Sequence, residues 1–121
     1  IPDGKRKIYD ITPAGKEVVK NWVFTKSHAP SQKDEFLAKV FTISALDRDT
    51  SKFLIMERKQ YFNEQLKEYS TVLNSLSELT KEERRKNFGR ELIIERKIRL
   101  CKEELSWCEW AEEKIDAYFS E

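Results

Sequence analysis

Glycine and proline are scarce in this sequence, three of each in 121 residues, and it holds only two cysteines, one methionine and one histidine. So little turn-forming material leaves a β-sandwich or barrel close to excluded. Two thiols are too few for a secreted disulfide scaffold, and Cys101 and Cys108, seven apart on a helix, would sit about 10 Å from each other, too far to bond within one chain. They read as reduced thiols, although a subunit seam would bring one from each copy together. No apolar run approaches the roughly 18 uncharged residues of a membrane span, and no charged-then-apolar start resembles a signal peptide. The expectation is a soluble, cytoplasmic chain with no membrane partner.

An excess of one charge is also lacking. The chain has 23 basic and 22 acidic residues, net +1, which by itself calls for neither nucleic acid nor membrane. The distribution is uneven, however. Residues 1–33 carry seven cations against three acids, or +4, whereas residues 103–121 carry one cation, Lys114, against seven acids, or −6. What the sequence has in quantity is charge of both signs: 37% charged and 39% hydrophobic residues, against roughly 25% and 45–50% in an average soluble domain. The surface is therefore large relative to the core, which suits long exposed helices.

The run Lys5-Arg6-Lys7-Ile8-Tyr9-Asp10-Ile11-Thr12, behind the turn pair Asp3-Gly4, reads as a strand leaving a hairpin. Thr12 is a helix N-cap and Pro13 suits the first helical position, where its missing N–H costs nothing. Val18, Val19, Trp22 and Val23 then recur at helical spacing until residues 25–33, with Ser27, Pro30 and Ser31, end the helix. That loop is the one credible boundary, giving units 1–26 and 27–121. Phe36, Leu37, Val40, Phe41 and Ile43 predict a medium helix of about three turns, closed by the capping side chains Asp47, Asp49 and Thr50.

Two longer helices follow. Over residues 50–79, Ile55, Phe62, Tyr69 and Leu76 repeat every seven, with Leu66 and Leu73 between them. Thr80 and Glu83 make a capping box, and a last helix is expected to run to about Phe119, with Ile94, Cys101, Cys108 and Ile115 every seven and Ile98 and Leu105 between. About 40 residues at 1.5 Å each span about 60 Å, twice the diameter of a domain this size. The two stripes pack as an antiparallel hairpin, and the excess length presents apolar residues to a second subunit, so a homodimer is expected. The competing reading is a monomeric bundle whose last helix breaks near Gly89.

Catalytic chemistry has little support. His28 has no Ser or Cys near it in sequence, zinc-type ligand pairs are absent, and no glycine-rich phosphate loop occurs. No enzyme activity, metal or cofactor is expected. Lys5, Arg6 and Lys7 would either reach DNA phosphates or only solubilise the turn. Trp107 and Trp110, three apart beside Tyr118 and Phe119, are either a core ridge or a pocket wall. Lys81, Arg84, Arg85, Lys86 and Arg90 cluster at the start of the expected last helix, where cations oppose the macrodipole.

Residues 5–17 resemble the wing strand and following helix of the PadR family of transcription regulators. Asp34 to Phe41, the long helix containing Glu57-Arg58, and the segment from Glu104 through Leu105, Trp107 and Cys108 to Trp110 resemble that family's C-terminal domain of the virulence activator alpha type. The resemblance implies a mainly α fold: a winged-helix remnant of wing strand and helix, then long antiparallel helices forming a dimerisation domain. It also implies a helix-turn-helix ahead of Ile1, so that this chain is the C-terminal portion of a longer protein and DNA is bound through the full-length molecule. On that basis Lys5, Arg6 and Lys7 would touch the DNA backbone over Tyr9 and Ile11. Ile94, Ile98, Cys101, Leu105 and Cys108 would form the dimer interface, and Trp107 and Trp110 would face a cavity for a small aromatic effector. The alternative is a helical protein–protein interaction module without ligand sensing.

Overall fold

A computed structural model of the chain describes residues 12–25, 27 and 34–120. Lys5, Arg6, Lys7, Tyr9, Ile11 and His28 lie outside the described residues, so the expected wing does too. The described residues form helices and short turns, with no strand among them. Two compact units divide the chain, Ile1–Lys33 and Asp34–Glu121.

In the first unit, α1 (Pro13–Val23) starts as its sequence predicts. The Thr12 hydroxyl accepts the Gly15 N–H at 3.0 Å, and Pro13 occupies the first helical position. No residue of α1 is buried, and Val18, Val19, Trp22 and Val23 are all exposed.

The second unit begins with α2 (Glu35–Phe41), capped by the Asp34 carboxylate, which accepts the Phe36 N–H at 3.0 Å. Helix α2 is shorter than its apolar spacing suggests, because the chain turns at Thr42 into a single 3-10 turn, Ile43–Ala45. Next come α3 (Arg48–Ser77), α4 (Lys81–Lys86) and α5 (Phe88–Phe119). Helix α3 is capped by Asp47, which accepts the Thr50 N–H at 2.7 Å. The Thr80–Glu83 capping box that opens α4 is complete in both directions, at 3.2 and 3.0 Å.

The 40-residue last helix is interrupted. Asn87 leaves helical geometry while its side-chain amide donates to the Glu83 carbonyl at 2.9 Å, the local hydrogen bonding by which Asn competes with the helical ladder. The break falls two residues before Gly89. It also reverses the electrostatics of the basic cluster. Arg84, Arg85 and Lys86 stand in the last turn of α4, where cations complement the macrodipole instead of opposing it.

Helices α3 and α5, with 30 and 32 residues, are about 45 and 48 Å long and pack side by side in opposite directions. Arg48 and Lys52 both meet Asp116, at 2.7 and 3.0 Å, and Lys59 meets Glu112 at 3.0 Å. These pairs are half-exposed and screened, so they set register more than stability. Between them lies a core of Ile55, Cys108, Ala111 and Ile115, against which Phe36, Ile43, Trp107 and Phe119 pack. Ser51 is fully buried beside this seam and donates its hydroxyl to the Asp47 carbonyl at 2.8 Å.

Candidate functional site

The heptad stripe expected at a subunit seam is used inside the chain. Ile94, Ile98, Cys101 and Cys108 are buried in the single copy, and Leu105 is half-buried. Within the single copy these side chains therefore pack into the hairpin, as a heptad repeat specifies a helical partner without specifying which chain supplies it. The two thiols are correspondingly inert: burial, reinforced by the nearby Glu104 carboxylate, pushes both Cys101 and Cys108 up from the ordinary thiol range.

A second stripe on α5 escaped the sequence reading. Ile93, Leu100 and Trp107 also recur every seven; Ile93 and Leu100 are turned away from the hairpin seam, 57% and 45% exposed, while Trp107 is half-buried against the core. Phe88 and Leu92 extend this apolar strip towards the α4 end. The signal was present in the same heptads, one residue before Ile94, Cys101 and Cys108.

Trp107 and Trp110, expected together, are separated. Trp110 is 54% exposed, with the Lys114 ammonium 5.7 Å from its ring. Trp107 lines a cleft of about 270 Å³ with Phe36, Leu37, Glu103 and Glu104. Its ring meets Phe36 edge to face, centroids 5.9 Å apart and planes at 85°, a favoured aromatic geometry.

Behind Phe36 sits Arg58, the least anticipated element of the site. Its guanidinium lies 4.4 Å from the Phe36 centroid and 4.8 Å from that of Phe62. It donates to both Asp34 carboxylate oxygens, at 3.4 and 2.8 Å. The buried Nε finds no hydrogen-bond partner among the described residues, the Glu104 carboxylate standing 3.6 Å away. The Arg58 guanidinium holds the Asp34 carboxyl below its ordinary range, with the Phe36 and Leu37 N–H groups helping. One arginine thus ties the cap of α2, the cleft wall Phe36 and helix α3 together. Its sequence signal was the Glu57-Arg58 pair; the pairing with Asp34, 24 residues away, has no local signature.

No group of three or more His, Cys, Asp or Glu among the described residues is placed to hold a metal ion. No described helix is long and apolar enough to cross a membrane.

Residues 32–116 match the family described as Virulence activator alpha C-term. The chain belongs to that family. Its matched segment takes in α2 through nearly all of α5, hence the hairpin, the Arg58 cluster and the Trp107 cleft. The fold is PadR-type. Crystal structures of Bacillus subtilis PadR in complex with p-coumaric acid and in complex with operator DNA superpose with TM-scores of 0.71 and 0.70 at 24% identity. Each covers 86% of this chain, which in turn covers 64% and 58% of those PadR chains, less than two thirds of their length. No curated protein matches the sequence.

Proposed function

We propose that this chain is the dimerising and effector-sensing C-terminal region of a PadR-like, DNA-binding transcription regulator. The observation that carries the reading is the virulence activator alpha C-terminal match over 85 residues spanning α2 to α5. Support comes from the PadR structures, one with operator DNA and one with p-coumaric acid. In the full-length protein the DNA contacts fall to the winged-helix part, with Lys5, Arg6 and Lys7 on phosphates, where they position the protein without selecting bases.

The homodimer uses the outward strip of α5, Leu92, Ile93 and Leu100 with Phe88, all exposed in the single copy. Two helix-turn-helix units read two half-sites only when a dimer holds them about 34 Å or a multiple apart. A ligand that re-angles the helical scaffold therefore changes DNA affinity, and a coupling of about 1–3 kcal/mol corresponds to about 5- to 150-fold.

The experiment is light scattering across a hundredfold dilution, on the parent and on Ile93→Lys/Leu100→Lys. A dimeric parent and a monomeric, fully helical variant support the reading. A parent that is monomeric throughout removes dimerisation by this chain.

A further inference from the structure

We infer that the Trp107 cleft selects small aromatic ligands by charge, taking a one-ring compound with a protonated amine in preference to an aryl carboxylate. The inference rests on the effector reading above and specifies its ligand.

Size comes first. An apolar cavity of about 150 Å³ holds benzene, and drug-sized sites begin near 300 Å³. A cleft of about 270 Å³ accommodates one aromatic ring with a short tail. The walls then define what the ring meets. Phe36 and Trp107 stand at 85° to each other, so a guest ring stacks on one face and presents its edge to the other, and a cation lying over either face is attracted by the ring quadrupole.

Charge decides the tail. The polar side of the cleft is made by Glu103 and Glu104. Glu104 shares its charge with Arg58 at 3.6 Å, while Glu103 is exposed and has no ion-pair partner among the described residues. Arg58, the cation paired with Glu104, is committed to Asp34 at 2.8 Å and enclosed between the Phe36 and Phe62 rings. A ligand carboxylate would therefore meet uncompensated negative charge, and a ligand ammonium would meet a carboxylate and two aromatic rings. At about 4 Å one such charge contact in a water-like medium changes affinity roughly fivefold.

The test uses the whole chain carrying Trp22→Phe and Trp110→Phe, so that fluorescence reports Trp107 alone. Three probes that share a phenylethyl body and differ in its end group are titrated at neutral pH: 2-phenylethylammonium, 3-phenylpropanamide and 3-phenylpropanoate. The expected order is ammonium, then amide, then carboxylate, with about tenfold or more between the ends. Glu103→Gln, a surface change outside the core, narrows that spread to about threefold at unchanged helicity. A carboxylate that binds as tightly as the ammonium overturns the charge selection while leaving an aromatic cleft in place. If no probe moves Trp107 emission up to millimolar concentration, both this inference and the effector half of the proposed function fall. The dimer half is judged separately by light scattering.

Discussion

Replacing Arg58 with Met tests how α2 is held. The substitution removes two charge-assisted hydrogen bonds to Asp34, together contributing about 1.5–3 kcal/mol. It also removes two cation–π contacts, about 0.5–1 kcal/mol each at partly exposed sites. Against this, the buried Nε that lacks a hydrogen-bond partner disappears, recovering about 1–3 kcal/mol, and the methionine fills much of the stem's apolar space. The side chains are 17% and 30% exposed, so solvent screens part of the loss. The net expectation is a destabilisation of about 1–2 kcal/mol, read by urea unfolding. Amide exchange should quicken first across Glu35–Phe41, since α2 is the element released. In a double-mutant cycle with Asp34→Asn the coupling should be about 1 kcal/mol or more. The pH dependence has a definite sign. Arg58 depresses the folded-state pKa of Asp34, so its contribution is present above the unfolded aspartate pKa and is lost as pH falls through the depressed folded value. In R58M this acid-side loss should shrink. Additive R58M and D34N effects, with α2 exchange unchanged, would refute the latch.

Three further outcomes follow from the hairpin. Ile98→Lys places an unpaired charge at a buried position of α5 and should cost about 3 kcal/mol or more, visible as loss of cooperative thermal unfolding by circular dichroism, whereas Leu100→Lys, at an exposed position, should keep a cooperative transition and full helicity, with any loss limited to that of dimer linkage. Gly89→Ala should raise stability by up to about 1 kcal/mol, because a Cβ there meets nothing within 4 Å; chemical denaturation giving no gain or a loss would contradict the helical, open environment of Gly89. Cys101 and Cys108 should react with a thiol reagent at neutral pH far more slowly in the folded chain than in denaturant, burial being the main reason for their raised pKa values; equal rates would mean that the seam opens readily.

The parts of this fold that could be read from the sequence are those encoded locally. Thr12 with Pro13, Asp47 with Thr50, and Thr80 with Glu83 each need only three or four adjacent residues, and each forms as its residue types dictate. The heptads of α3 and α5 likewise announced an antiparallel pair. What escaped was non-local or degenerate. The stop at Asn87 lies ahead of the first heptad residue of α5, Ile94; a break near Gly89 is the competing reading of the sequence, and the hydrogen bond from Asn87 to the Glu83 carbonyl fixes its place. Arg58 carries no periodic signal that distinguishes a solvated arginine from one clasped between Phe36 and Phe62. Trp107 and Trp110 share a spacing that fits one wall, yet the roughly 60° between them is enough to put Trp107 against Phe36 of α2 and leave Trp110 beside Lys114.

Helix α5 writes two messages in one register. Ile94, Ile98, Cys101 and Cys108 face the hairpin, while Ile93 and Leu100 face outward. Inheritance can therefore edit the two separately. In the proposed dimer, substitutions along the outward strip would alter which copies recognise one another while the hairpin folds as before, so a duplicated gene would need only a few changes there to stop its product mixing with that of its parent. Substitutions on the inward stripe offer no such freedom, since they are tested by folding before any partner is met.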